Sequence, residues 1–242
     1  LGGRVLVCVP SVLVPLLRQS GIENLFSVGA QLPPFDVYAP LLSLPEILQT
    51  RLVSIPADVP YLHANPSLVQ RWRPAVERFA GFRVGINWQG NPEYKFDRYR
   101  SIPLVEFGPV AKVAGVRLIS LQRIHGMEQI GELSGRFDVA ILADDLDTAA
   151  GAFMDTAAIM RNLDLVITSD TATAHLAGAL GVPVWVALSF APDWRWLLDR
   201  DDSPWYPTMR LFRQTRLGDW SGVFERMAAE LQSKLEANMQ PR

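Results

Sequence analysis

Short runs of apolar residues alternate with stretches of helical periodicity along most of the chain. Arg4 to Val9 reads as a strand, Val12 to Gln19 as a helix and Asn24 to Val28 as another strand. Between Gln31 and Asn65 the pattern loosens, and Pro33, Pro34, Pro40, Pro45, Pro56 and Pro60 break it into turns and brief elements. Helical spacing resumes over Leu68 to Phe79 behind Ser67, which the spacing marks as an N-cap. A more regular series follows. Strands are expected at Phe82–Asn87, Val116–Leu121, Val139–Leu142, Asp164–Thr168 and Val182–Leu188. Helices are expected after Pro103, near Met127–Leu133, over Thr156–Arg161 and after Asp170. Continuously apolar strands alternating with helices predict a parallel sheet covered on both faces. Val223, Phe224, Met227, Leu231 and Leu235 place a last amphipathic helix over Trp220 to Ala237.

The pattern divides the chain into a first region of residues 1–80, a second Rossmann-like region of residues 81–218 and a helical tail of residues 219–242. No internal repeat or low-complexity tract occurs. At 242 residues, 49% of them hydrophobic, the chain can bury a substantial core. Lys and Arg total 23 against 25 for Asp and Glu, so no basic field favours nucleic acid. Cys8 is the single cysteine, which excludes an internal disulfide and suits a reducing compartment, so the expected location is the cytoplasm. Val5 to Leu17 resembles a signal-peptide core, but Pro10 and Pro15 interrupt it and no cleavage pattern follows. No apolar run is long enough to span a bilayer. The start at Leu1 rather than Met suggests a processed or truncated product.

In open α/β sheets ligands bind beyond the carboxyl ends of the strands, and the chemistry of this chain concentrates there. The richest segment is Asp170-Thr171-Ala172-Thr173-Ala174-His175, where a buried strand runs into a helix of small residues. Its first-turn N–H groups and dipole favour a phosphate, with Thr171 and Thr173 as hydroxyl donors. Asp170 would repel a phosphate it faced, and so is read as a cap or a sugar contact. His175 either reaches a ligand or satisfies a bond in the core.

Asn87, Gln89, Gly90 and Asn91, followed by Arg98 and Arg100, form a second polar loop. It either binds hydroxyls and phosphate or is an ordinary loop whose arginines pair with Asp97 or Glu93. Gln122 and Arg123 end the next strand. Asp155–Thr156 reads as an N-cap that alternatively touches a ribose. Asp193, Trp194, Arg195 and Trp196 either stack a base or, with Trp205, close a small core.

Other chemistries lack their signatures. There is no G-x-G-x-x-G after a strand, no Walker A motif and no G-x-S-x-G. His63, His125, His175 and Cys8 have no metal-ligand spacing. Asp145-Leu146-Asp147 and Asp199-Arg200-Asp201 both match a permissive D-x-D pattern.

V-G-I-N-W-Q-G-N-P, R-Y-R-S-I-P-L, S-L-Q, the run D-L-V-I-T-S-D-T-A-T-A-H-L-A-G-A-L-G-V-P-V-W-V, P-D-W-R-W-L-L-D-R and S-P-W-Y-P occur in that order. Together they resemble the GT-B glycosyltransferase-like region at the end of bacterial tetratricopeptide-repeat proteins, a relative of the ADP-heptose:lipopolysaccharide heptosyltransferases (glycosyltransferase family 9). Pro33-Pro34-Phe35-Asp36 and Leu42-Ser43-Leu44-Pro45 extend the resemblance into the first region. It implies an α/β, GT-B-like fold of two Rossmann-like domains with parallel sheets, the N-terminal one truncated here. It also implies metal-independent, inverting transfer of a hexosyl or heptosyl group from a nucleotide-diphosphate sugar, with no cofactor. The acceptor, a glycan, lipid-linked or protein group, is not specified.

By the same resemblance Asp170, Thr171 and His175 match the donor-phosphate turn. Asn87 to Asn91 and Arg98 to Arg100 match the loop facing it, and Arg100 and His175 would stabilise the leaving group. Relatives begin with a further βα unit bearing a G-L-G-D turn whose acid is a candidate base. No such turn occurs in this sequence, so no general base is assigned. The chain is expected to be a fragment of a repeat protein or a degenerate member. The alternatives are a noncatalytic GT-B-like scaffold, or an epimerase or hydrolase on the same architecture.

Overall fold

The computed structural model describes residues 2–239. It opens with β1 (Val7–Val9), a 3₁₀ turn and α1 (Val14–Gln19), then β2 (Leu25–Ser27), which pairs in parallel with β1 through Cys8 and Phe26. The strands are shorter than expected: Val5 and Val28 stay in solvent, and Arg4 reaches Asn24 instead of a ladder. The proline-rich stretch holds α2 (Leu44–Ile47) and two 3₁₀ turns.

α3 (Pro66–Glu77) is capped by Asn65, whose Oδ1 accepts from the N–H groups of Ser67 and Leu68, so Ser67 lies inside the first turn and is not the N-cap. Pro66 at the first helical position loses nothing, since its N–H would be unpaired there anyway.

The larger sheet begins with β3 (Phe82–Asn87), at the expected bounds. α4 (Asp97–Arg100) is a single turn in the following loop. Pro103 opens a 3₁₀ turn at Leu104–Phe107 and then α5 (Gly108–Ala111), in place of one helix. β4 (Val116–Ser120), α6 (Glu128–Glu132), β5 (Val139–Ala140), α7 (Met154–Met160), β6 (Leu165–Ser169), α8 (Ala172–Ala179) and β7 (Val184–Leu188) follow. β8 (Met209–Arg213), absent from the expected set, completes the sheet, and α9 (Trp220–Met239) closes the described chain. The order is β5-β4-β3-β6-β7-β8, with every neighbouring pair parallel.

The alternating faces of these strands build two cores. Ile119, Val166, Val184, Val186 and Leu188 pack with buried residues of α7 and α8 and with Trp72 and Val76 of α3. α3 thus lies across α7 on the larger sheet. Val84, Ile86, Leu118, Leu165, Ile167, Trp185 and Phe212 meet Phe107, Val110, Trp220, Val223, Phe224, Met227 and Leu231. Val223, Phe224, Met227 and Leu231 are fully buried, each contributing about 1.5–3 kcal/mol, so the tail helix is an integral layer of the sheet domain. The free edge of β8 is covered by Asp201, whose carbonyl accepts from Leu211, and by an antiparallel bridge from Asp202 to Arg210.

α7 begins at Met154, so Asp155 and Thr156 sit within its first turn and do not cap it. The cap comes from Asp147 across a loop. One carboxylate oxygen accepts from Asp155 N–H (2.6 Å) and Thr156 N–H (3.0 Å), and the other from the Thr156 hydroxyl (2.5 Å). The second aspartate of the Asp145-Leu146-Asp147 motif is therefore a buried helix cap.

Candidate functional site

β3, β6 and the loop after β4 converge at the carboxyl edge of the sheet. Asn87, last in β3, accepts through Oδ1 from the hydroxyls of Thr168 (3.2 Å) and Thr171 (2.9 Å). Its Nδ2 donates to Gln122 Oε1 at 2.8 Å, and the same oxygen accepts from Trp88 and Gln89 N–H. Gln122 Nε2 then donates to the carbonyls of Gln89 and His125. Both side chains are buried. Their polar atoms are engaged inside the protein, so Asn87 and Gln122, expected as donor contacts, act here as struts that shape the loop. Asp155, expected as a donor contact too, is buried and accepts from Trp72 Nε1 at 2.7 Å and Asp147 N–H at 3.0 Å, which ties α3 to α7.

The loop shaped by these struts carries the arginines. Gly90 is needed for close approach, since a Cβ there would fall 2.2 Å from Asp97 Oδ1 and 2.8 Å from Arg100 Nη2. Asp97 is buried and holds Arg100 Nε at 3.0 Å and the Ser101 hydroxyl at 2.7 Å. Arg100 also lies over the Tyr94 ring at 4.7 Å and donates through Nη1 to the Asp170 carbonyl at 2.9 Å. It is thereby fixed against the β6–α8 turn with one quarter of its side chain exposed. Asn91 is a turn former, its Oδ1 accepting from Glu93 N–H. Arg98 points elsewhere: it stacks on Tyr99 and, with Gln89, Ser101 and Gln129, lines a cleft of about 380 Å³ on the flank of the loop.

At the start of α8, Thr171 has extended backbone (φ −136°, ψ 176°) and its hydroxyl turns to Asn87, so no side chain caps the helix. Ala172 and Thr173 N–H consequently have no hydrogen-bond partner among the described residues. Two open donors at the positive end of a helix, with Arg100 beside them, make a turn whose physical chemistry suits an anion. The Asp170 side chain is partly exposed and forms no bond among the described residues.

His175, one turn further on, stacks on the fully buried Trp196 (5.2 Å, 17° between planes), and its Nδ1 lies 3.1 Å from the Tyr206 hydroxyl. Burial lowers its pKa below the usual imidazole value; Asp170 and Asp193 oppose this and Arg195 adds to it. Burial thus favours the neutral ring.

The aromatic cluster after β7 divides in two. Trp196 belongs to the core and Trp205 donates to the Arg195 carbonyl, whereas Trp194 and Phe190 are exposed. Asp193 holds Arg195 at 2.8 Å, and Arg195 lies over Trp194 at 5.3 Å. Sequence reasoning did not single out Tyr206, and it took Asp147 only as part of a permissive D-x-D pattern. Only the position of Tyr206 in S-P-W-Y-P, close behind the tryptophans, signalled it. Among the described residues no three His, Cys, Asp or Glu side chains converge as metal ligands, and no helix is long and apolar enough to cross a membrane.

No family model matches the sequence. Protein FlbA of Caulobacter vibrioides (strain ATCC 19089 / CIP 103742 / CB 15) is 29% identical over 199 residues, 81% of this chain and 33% of FlbA. Among solved structures, the ADP-heptose LPS heptosyltransferase II of E. coli aligns with a TM-score of 0.49 at 15% identity, covering 74% of this chain and 54% of that one. The glycosyltransferase family 9 protein of Veillonella parvula DSM 2008 aligns with a TM-score of 0.50 at 14% identity, covering 73% and 53%. The fold is α/β and GT-B-like. The chain spans about a third of FlbA and about half of the two structures. In this GT-B-like frame the anion-binding turn lies at the switch point between β3 and β6, where the strand order reverses.

Proposed function

We propose that the chain binds a nucleoside-diphosphate sugar at the start of α8 and transfers its glycosyl group, with inversion and without a metal, to an acceptor hydroxyl. The observation that carries the reading is the uncapped α8 terminus, with free N–H groups at Ala172 and Thr173 and Arg100 fixed beside them. Donors already aimed at the turn would stabilise the charge that develops on a departing diphosphate. In this reading Thr173 and Asp170 at the turn, with Asp193 and Trp194 after β7, would contact phosphate, sugar and base. The proposal leaves the sugar and the acceptor of this chain open. The same proposal has the chain working in the cytoplasm within a longer tetratricopeptide-repeat polypeptide; the third of FlbA that it matches is compatible with this.

Calorimetric titration with ADP, GDP, UDP and inorganic phosphate tests donor recognition. Saturable binding of at least one nucleoside diphosphate is expected; a folded protein that binds none refutes the reading. A noncatalytic binding module is the second reading. It is favoured by the internal engagement of Asp97, Asp147 and Asp155, which leaves few carboxylates able to activate an acceptor. Turnover of a sugar nucleotide by this chain would eliminate it, and free sugar without acceptor would indicate a hydrolase.

A further inference from the structure

We infer that Tyr206 is a positioning residue that fixes His175 as the neutral tautomer with its proton on Nε2, so that the ring offers a hydrogen-bond donor and no base at that nitrogen. What that donor meets rests on the donor-binding reading above; the tautomer does not.

The ring is over-determined in position. His175 and Gly178 are three residues apart on one face of α8. A Cβ at Gly178 would come within 2.5 Å of the Tyr206 ring, so the phenol packs directly on the helix backbone and reaches along it to His175. Trp196 fixes the imidazole plane from one side, and Tyr206 is tilted against it at 5.8 Å. With plane and Nδ1 both held, the direction of Nε2 is set, and Nε2 makes no bond among the described residues.

The proton assignment follows from the three-group chain Tyr61–Tyr206–His175. Tyr61 Oη lies 3.4 Å from Tyr206 Oη, which lies 3.1 Å from Nδ1. A phenol O–H is a stronger acid than a neutral imidazole N–H, and the imidazole lone pair is a better acceptor than a phenol oxygen. Tyr206 therefore donates to Nδ1 and accepts from Tyr61, which leaves the imidazole proton on Nε2. Burial holds the Tyr206 hydroxyl above the usual phenol range, so it keeps the proton this bond requires. The charged groups around the ring are Asp170, Asp193 and Arg195. Under the donor-binding reading, a fixed neutral N–H one turn into α8 would stabilise developing negative charge without a proton transfer.

The test is the nitrogen-15 signature of the imidazoles in the full chain, labelled in histidine and recorded above the titration range. With three histidines, His175→Gln identifies the relevant pair of signals. The wild type is expected to show Nε2 protonated and Nδ1 unprotonated. Tyr206→Phe keeps the ring against Gly178 and is expected to shift His175 towards the other tautomer and to weaken ADP binding about threefold to tenfold. A wild-type spectrum with the proton on Nδ1 overturns the inference, as does an unchanged signature in folded Tyr206→Phe. The wild-type spectrum decides even if that variant does not fold. Absence of ADP binding by the wild type defeats the donor-binding reading instead, and the tautomer is still read.

Discussion

Replacing Gln122 with alanine tests whether that side chain organises the arginine loop. The change removes one oxygen that accepts from Asn87, Trp88 and Gln89 and one nitrogen that donates to the Gln89 and His125 carbonyls. Five polar groups lose a partner in a region that is 6% exposed at Gln122. At roughly 1–3 kcal/mol for a fully orphaned buried group the sum would be larger, but water can enter the vacated space and satisfy part of it. We expect a loss of about 3 kcal/mol, which lowers Tm by roughly 6–12 °C for a chain of this size. Urea unfolding with an unchanged m-value, paired with scanning calorimetry, measures it. A loss below about 1 kcal/mol would refute the strut role. Gln122→Glu refines the test, because it keeps the accepting oxygen but turns the other towards two carbonyls. Its carboxyl pKa is raised in the folded state, so the variant is most stable at low pH. It then loses stability as pH rises above the unfolded value of about 4.3, a slope the wild type lacks at this position.

Asp147→Ala should cost about 3 kcal/mol in the same unfolding assay, because it uncaps α7 at two N–H groups and one hydroxyl; a near-neutral result would mean that water caps that helix. Asn65→Ala should cost about 1 kcal/mol and Ser67→Ala almost nothing, and the reverse order would restore Ser67 as the cap of α3. His175 has a lowered folded pKa, so the stability it contributes is present above the unfolded value of 6.5 and is lost as pH falls below it. His175→Gln should flatten the acid limb of stability against pH, and an unchanged limb would assign that limb to other groups. Arg100→Ala should weaken ADP about tenfold and adenosine far less, measured by calorimetry; equal losses would mean that the arginine only supports the loop.

Where a physical signal is local, the sequence carried it. Phe82, Val84 and Ile86 alternate along Phe82–Asn87, which forms β3 at those bounds, and the spacing of Val223, Phe224, Met227 and Leu231 matches the buried face of α9. The turn at Asp170 was readable because strand, N-cap and small-residue helix are contiguous. β8 was not, since Arg210 and Arg213 interrupt a five-residue run that follows a long aromatic loop. The roles of Asp147 and Gln122 also lay hidden. Each acts across a loop, Asp147 at residues eight and nine positions on and Gln122 at residues 33 to 35 positions back, and no period links a side chain to such partners. Asp155 misled for the same reason, its carboxylate being answered by Trp72, 83 positions away. The anion-binding turn was visible because its donors are backbone; the side chains that aim and tension it are chosen by the fold.

The central pairing of the sheet has a consequence for biosynthesis. Gly85 of β3 lies against Val166 of β6, so roughly 80 residues leave the ribosome between the two halves of that ladder. At about 5–20 residues per second, β3 waits roughly 4–16 seconds with one hydrogen-bonding edge open, while β4 can cover the other and β5 extends the sheet beyond it. The nascent chain passes through a three-stranded half-sheet with Val84 and Ile86 awaiting their covering helix. That interval, set by the strand order, is when the polypeptide is most exposed to mispairing and most dependent on chaperones.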